Sequence, residues 1–491
     1  MLSTAVYIGG GFRQHQLLYM LPIVANFCKK KKIGKIIIEQ KVSNKTLNHK
    51  VISNLKDNIE LVFLPNLIRK KNFFYKILFL KNILNFLFKY FFIKREDLLT
   101  NDSWIEKQIK HSIWDYGIKI NKNEFENLEF IPKLRSIFLS ARYLSYSEIL
   151  LSYSNLKYAF FQHFVYFERS LFANLRHKNV KLIQKTRHVF RVQKKNYDQV
   201  ANSLDKKIFI KSFKFLNKKR INNYWKNFLS GRSKNLESKN ASKLSGKVKV
   251  AKNVIFLHVF RDSPFVCIDK KRIFSDYFDW FLSTLKIIGD SNELWQIRIH
   301  PSSLKWGEDP KKVIKFIKKK YFSGEFPKNI EFLNNSLSNL KSLKGAKRVV
   351  TFSGNVHVEA ACHGIKPIII SNSTLVDYGK ELFIKPKSFE QYNKILLKES
   401  SDEIFRLNEK QINTSRRIIF LLHNSCNFMK ELNSGEIFFN LLKKENLIKI
   451  YNNIYNQLFK NKKYLEQLSS ILISKVDQSL NSQFIKYFLK N

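Results

Sequence analysis

From residue 253 to residue 370, short apolar runs alternate with helix-compatible stretches, and this alternation limits the fold more than any other feature of the chain. Asn253 to Phe260 reads as a strand, Ile273 to Ile288 as a helix and Leu294 to Ile299 as a strand. Lys311 to Lys320 follows as a helix, and Ile330 to Leu333 and Arg348 to Phe352 as strands. Val356 to His363 is a helix and Pro367 to Ile370 a last strand. Strands separated by helices are joined by crossovers rather than hairpins, which implies a doubly wound parallel sheet. The first forty residues begin the same pattern. Ala5 to Ile8 is apolar, Gly9, Gly10 and Gly11 make a turn, Phe12 to Lys32 has helical spacing, and Ile36 to Ile38 is the next strand. The turn GGGFRQ lacks the third glycine of GxGxxG, so it reads as a tight strand-end turn rather than a dinucleotide fingerprint.

A chain of 491 residues is long enough for two domains, each with its own core. Residues 230–252 are rich in Ser, Lys and Asn with almost no large apolar side chain, which is linker chemistry. The expected organisation is an α/β chain of two Rossmann-like domains facing a cleft. Residues 1–229 form an N-terminal Rossmann-like domain, 230–252 the linker and 253–400 a C-terminal Rossmann-like domain, with a helical C-terminal extension over 401–491; the resemblance described below makes the first the acceptor side and the second the nucleotide-sugar donor domain. The stretch from 73 to 230 holds helical segments and aromatic runs without a clear strand pattern.

Charge narrows the partners. Lys plus Arg number 88 against 39 Asp plus Glu, a formal net charge of +49, which attracts polyanions such as nucleic acid, anionic headgroups or acidic glycans. The usual nucleic-acid signatures are absent and the basic residues are spread along the chain, so no nucleic-acid partner is expected. The Lys, Asn, Ile and Phe excess also fits an AT-rich genome. Cys28, Cys267, Cys362 and Cys426 form no CxxC pair and read as small buried residues of a reducing compartment. The N-terminus shows no signal-peptide pattern, and Phe73 to Ile93 is apolar but interrupted by Lys76, Lys81 and Lys89. A cytoplasmic protein, peripheral at most to the inner face of the membrane, is the expectation.

Ligands of open α/β sheets bind beyond the carboxyl ends of the strands. Three polar clusters fall there in the second half: His258 with Arg261 and Asp262, Arg298 with His300 and Pro301, and Thr351 with Ser353, Gly354 and Asn355, followed by Glu359. Ser353 and Gly354 stand where a strand enters a helix, a place that favours phosphate. Helix capping by Ser353 and Asn355 is the alternative. Glu359, one turn further on, is a candidate ribose contact.

Arg298-Ile-His300-Pro301, Thr351-Phe-Ser353-Gly354-Asn355 with Glu359, and His363-Gly364 before Pro367 resemble the HP and Ser/Thr motifs of bacterial capsule and surface-polysaccharide transferases. These are the capsular Kdo (3-deoxy-manno-octulosonate) transferases of GT-B architecture and, more distantly, bacterial sialyltransferases and teichoic-acid polymerases. His258-Val-Phe-Arg261-Asp262 with Asp276 and Asp279 is similar to the opening of the donor domain in the capsule group. The resemblance spans about 250 to 385 and implies that His300 and Ser353 meet the phosphate of a CMP-sugar, with His258, Arg261, Arg298, Gly354, Asn355 and Glu359 completing the donor site. Where several relatives carry a second Ser or Thr, this chain has Gly354.

The acceptor half resembles that family more faintly, through Ser112-Ile-Trp-Asp115-Tyr116 and Gln162-His163-Phe-Val-Tyr166. A base must take the proton of the acceptor hydroxyl, and Asp115 and then His163 are the candidates, with His300 as the catalytic contact to the leaving group. No DxD motif is present, and no metal or other cofactor is expected beyond the CMP-sugar donor; cationic side chains replace a metal at the leaving phosphate. The resulting expectation is transfer of an acidic, Kdo-like sugar to a surface or capsular glycan or its lipid-linked precursor, with an anionic membrane surface as a further partner. The alternatives are a CDP-polyol phosphotransferase of the teichoic-acid type, a sugar-nucleotide epimerase, and a non-catalytic polyanion- or nucleic-acid-binding protein.

Overall fold

The computed structural model describes residues 3–9, 14–40, 59–100, 102–121, 125–162, 166–185, 190–192, 216–229, 252–261, 272–300, 303–304, 307–333, 342–371, 379–397, 402–424 and 466. Short, mostly apolar runs make the strands, and the central ones are buried on both faces, as a parallel sheet demands. In the first half the strands are β1 (Thr4–Ile8), β2 (Lys35–Ile38), β3 (Glu60–Phe63), β4 (Asn155–Phe161), β5 (Lys181–Lys185) and β6 (Phe190–Val192). Their order is β3-β2-β1-β4-β5-β6, parallel except for β6. The helices are α1 (Gln14–Lys30), α2 (Leu64–Lys70), α3 (Asn72–Tyr90), α4 (Trp104–Ile120), α5 (Phe130–Tyr153) and α6 (Glu168–His177). Four of them, α3 to α6, occupy the stretch whose sequence gave no strand pattern.

The second half carries α7 (Lys218–Leu229), β7 (Asn253–Phe256), α8 (Tyr277–Gly289), β8 (Trp295–Arg298), α9 (Pro310–Tyr321), β9 (Ile330–Leu333), β10 (Arg348–Thr351), α10 (Val356–Cys362), β11 (Ile368–Ile369), α11 (Phe389–Leu397) and α12 (Glu409–Asn424). Its sheet runs β11-β10-β7-β8-β9 and is parallel throughout. Every strand expected between 253 and 370 is present: Ile330–Leu333 keeps its expected bounds and the others are trimmed by one to four residues. Helix α9 starts where Pro310 occupies its first turn, after the Asp309 side chain, which accepts from the Lys311 N–H at 3.0 Å.

Both sheets share one winding: the first strand is central, the next two lie to one side and the following two to the other. The switch points, where ligands settle in such sheets, are therefore β1/β4 and β7/β10.

The packing of α7 departs from the expected division at 229. Its stripe of Ile221, Trp225 and Phe228 is buried against Val358 and Ala361 of α10 and Ile418 and Ile419 of α12. The stripe has helical spacing, and the apolar surface that completes it belongs to the second half. Of the expected linker only Lys252 lies within the described residues, and the helical expectation for 401–491 can be followed only through α12.

The halves meet along a built seam. Phe125, from the loop after α4, stacks on Phe278 at 5.6 Å within the second core. Asp276 caps α8 by accepting from the Asp279 N–H at 2.8 Å. The same carboxylate accepts from Arg95 Nε at 3.1 Å and Trp114 Nε1 at 3.2 Å. Asp276, similar to a donor-domain element in sequence, thus acts as cap and anchor.

Candidate functional site

Because β10, β7 and β8 are neighbours, the described residues of the three clusters expected at their ends come to one edge of the sheet. The Leu257 N–H donates to the Arg298 carbonyl at 2.8 Å, holding β7 and β8 together just before they part. Past that point the rings of His258 and His300 lie 5.4 Å apart, tilted by 38°. Tyr277, at the start of α8, fixes the first from behind: its hydroxyl accepts from the His258 N–H and donates to the His258 carbonyl at 3.2 Å. The His300 carbonyl accepts from the Ser303 N–H at 3.1 Å and the Ser303 hydroxyl at 3.0 Å, so its backbone is pinned while the ring stays half-buried.

Arg298 ends β8. Trp295 and Ile297 enter the core, so alternation assigns Gln296 and Arg298 to the other face. Burial pulls the Arg298 guanidinium down to about 10, which leaves it charged at neutral pH. Arg261 is used differently. Its N–H donates to the buried Glu308 carboxylate at 3.0 Å, and its guanidinium stands 5.5 Å from the Phe125 ring at the seam.

At the end of β10 the Thr351 hydroxyl donates to the Phe256 carbonyl at 3.1 Å and accepts from the Gly354 N–H at 3.4 Å. That pair of bonds ties the turn to β7. A Cβ at Gly354 would come 3.2 Å from Thr351 Oγ1, so glycine allows the chain to fold back this tightly. From the other side His357 Nδ1–H donates to the Gly354 carbonyl, and burial pulls His357 to about 4, keeping it neutral. The Ser353 hydroxyl, half-buried, has no partner among the described residues. Asn355 stands at the N-cap of α10 and makes no side-chain capping bond. Capping is therefore not how these two side chains are used. Helix α10 has only 7 residues, so the dipole invoked for an anion contributes little. Glu359 lies on α10 where it and Arg416 of α12 both act on Cys362, which places it toward the α10–α12 packing.

The acceptor-side candidates fare differently. Asp115 is buried on α4, with its carboxylate 3.4 Å from Arg169 of α6 and 3.7 Å from His111. Burial first, then the Arg272 charge, pull His111 to about 3, so the neutral ring accepts from Arg272 Nη1 at 2.7 Å across the seam. Asp115 thus belongs to an ion-paired network that joins helices and halves. His163 lies outside the described residues, as do Gly10, Gly11, Asp262 and Pro301.

The first sheet has a polar end of its own, unannounced by any motif in the sequence. The Gly9 N–H donates to the Phe160 carbonyl at 3.0 Å, and the Glu39 N–H to the Ile8 carbonyl at 2.9 Å, at the ends of β1, β4 and β2. The Tyr143 hydroxyl donates to Glu39 Oε1 at 2.9 Å, and a Cβ at Gly9 would collide with Glu39 Oε2 and the Tyr7 hydroxyl. Burial first, then the Glu39 charge, push the Glu168 carboxyl well above the usual range, with Lys119 opposing. Glu39 was findable, as the polar residue after Ile36–Ile38. Glu168 was not, since only the passage of α6 over the sheet brings it there. Among the described residues no group of three or more His, Cys, Asp or Glu could hold a metal ion.

No family model and no curated protein sequence matches the chain. Solved structures similar to it include the UDP-GlcNAc 2-epimerase of Methanocaldococcus jannaschii (12% identity, 86% of this chain and 99% of that one, TM-score 0.27). A glycosyltransferase from Rickettsia africae matches at 11% identity over 90% of this chain and 99% of its own, with TM-score 0.27. Anabaena HepE, solved with UDP and glucose, matches at 8% identity over 86% and 95%, with TM-score 0.28. At scores this low the likenesses carry no argument. The class, an α/β protein of two Rossmann-like sheets with a polar site at the end of each, is read from the strand orders and side chains above.

Proposed function

We propose that the protein is a GT-B glycosyltransferase that moves an acidic, Kdo-like sugar from a CMP-linked donor to a surface or capsular polysaccharide or its lipid-linked precursor, on the cytoplasmic side. The observation that carries this reading is the pairing of the His258 and His300 rings beyond β7 and β8, with the unengaged Ser353 hydroxyl following the adjacent strand β10. A cation or N–H donor and a hydroxyl at one edge suit a phosphate diester, whose charge grows as the sugar departs. His300 and Ser353 meet the leaving phosphate, and Arg298 supplies fixed positive charge without a metal.

In this reading the acceptor binds at the first sheet. Its hydroxyl oxygen attacks the anomeric carbon, the bond from that carbon to the phosphate oxygen breaks, and CMP leaves with the electron pair. The acceptor proton goes to Glu168. A carboxylate raised by burial and by Glu39 accepts a proton better than an ordinary one. Asp115, already paired with Arg169, is the weaker candidate.

Thermal-shift and calorimetric titration with CMP, CMP-Kdo, CDP-glycerol and UDP-GlcNAc tests the donor. CMP and CMP-Kdo should bind most tightly. Preference for CDP-glycerol would make the protein a polyol-phosphate transferase, and turnover of UDP-GlcNAc without acceptor would make it an epimerase. Binding of none of them would remove the enzymatic reading.

A further inference from the structure

We propose that the outward face of α3, continued by Phe130 and Ile131 at the start of α5, is the surface by which this protein lies on an anionic lipid bilayer. Helix α3 has 19 residues and two unlike sides. Inward, Ile83, Phe86 and Tyr90 join a core with Ile113, Trp114 and Ile137. Two polar contacts fix its rotation. Asn82 Nδ2 donates to Ser145 Oγ at 2.9 Å and to Glu148 Oε2 at 2.7 Å, and the Tyr90 hydroxyl donates to Glu106 at 2.6 Å. The helix cannot roll to hide its other side without breaking these buried bonds.

That other side is apolar and bare. Phe73, Ile77, Leu80, Leu84 and Phe88 recur every three or four residues along one row, and Phe92 follows just past the helix. Phe73 is 78% exposed, Phe88 90%, Phe92 79% and Ile131 68%. Phe91 meets the Phe130 ring at 6.1 Å, so the row continues onto α5. Phenylalanines this exposed cost free energy in water, and contiguous apolar patches of this kind mark interaction sites.

Charge selects the occupant. Lys70, Lys71, Lys76, Lys81, Lys89 and Lys94 are exposed around the row, and no acidic residue occurs between Glu60 and Glu96. Lys76 and Lys81 flank the apolar row on its two sides at helical spacing. A second copy of this chain would bring two lysine-bordered rows together and repel. A bilayer with anionic headgroups satisfies both halves of the pattern, taking the phenyl rings at the acyl boundary and the ammonium groups at the phosphates. No helix among the described residues is long and apolar enough to cross a membrane, so the contact lies in the plane of the interface. This inference stands apart from the transferase reading, because binding is measured without donor or acceptor.

The test is flotation of the full-length protein with vesicles of phosphatidylcholine alone or with about one third phosphatidylglycerol, at low and high salt. Wild type should float with the anionic vesicles and detach as salt rises. The triple variant Phe73→Ser, Phe88→Ser, Phe92→Ser should bind at least about tenfold less, with unchanged circular dichroism and melting temperature. Lys76→Glu with Lys81→Glu should weaken binding to anionic vesicles only. Flotation of the triple variant equal to wild type overturns the proposal. So does a fall in its melting temperature with flotation unchanged, which would show that the chain itself covers this face. A wild-type dimer that the triple variant breaks, with no flotation by either, would assign the face to a second copy instead.

Discussion

The two sheets are wound alike, yet their carboxyl ends are built from opposite chemistry. Beyond the second sheet the rings of His258 and His300 pair, and the charged Arg298 and the Ser353 hydroxyl stand at neighbouring strand ends, a set suited to a phosphate. At the matching end of the first sheet stand Glu39, Glu168 and two tyrosines, with Gly9 leaving room for them. Winding decides where a ligand can sit; the side chains after each strand decide which ligand it is. An acidic, phenol-lined end repels a nucleotide and suits hydroxyl groups. A positive end does the reverse. In the proposed function the same fold edge, used twice, divides donor from acceptor, and each variant below removes one side of that division.

The largest effect is expected at the acidic end. Glu168→Gln keeps shape and loses the base, so kcat should fall by about 10²- to 10⁴-fold while donor affinity stays at the wild-type value. Steady-state transfer assays with varied acceptor and donor separate the two. His300→Ala and Ser353→Ala come next, each lowering kcat by about 10²- to 10³-fold, because contacts that strengthen as charge develops act on the transition state. Retention of full activity by folded His300→Ala and Ser353→Ala would reduce the second sheet's cluster to turn chemistry.

Smaller, and opposite in sign at the two ends, is the dependence of stability on pH. His357 is held near 4, below its ordinary 6.5, so unfolding at acid pH takes up a proton. Its contribution is present above about 6.5 and is lost as pH falls toward 4. Glu168 is raised above its ordinary 4.5, so its contribution is present below that value and is lost as pH rises. Glu168→Gln should therefore gain in melting temperature on wild type as pH rises above 4.5, with the gap closing toward that value. His357→Gln should melt with a shallower decline below pH 6.5. Parallel melting curves for wild type and both variants would contradict these assignments.

The second sheet and its candidate site were legible because their signals are local. Each strand is an apolar run, and each site residue follows its strand within a few positions, so adjacency of β10, β7 and β8 completes the site. The first half resisted because its information is tertiary. Helices α3 to α6 pack on one another through stripes that no strand pattern frames, and Glu168 reaches its place only when α6 crosses the sheet. Asp115 drew attention as an acidic residue in a Trp-Asp-Tyr run, yet Arg169, fifty-odd positions away in sequence, decides its use. For Asn355 the capping alternative fails: a good capping residue by type, it makes no cap. The face of α3 was ambiguous in sequence because its apolar residues are both core and surface, and only the bonds of Asn82 and Tyr90 say which side turns outward.

If donor and acceptor are divided between the sheets, the nucleotide's place is at the second. Calorimetric titration of CMP into wild type, His300→Ala and Glu168→Gln measures it without turnover. CMP should bind wild type and Glu168→Gln with the same affinity and His300→Ala at least about tenfold more weakly, the loss of one charge-assisted phosphate contact. Equal affinity in wild type and His300→Ala, or loss of CMP binding in Glu168→Gln alone, would contradict the division between the two ends.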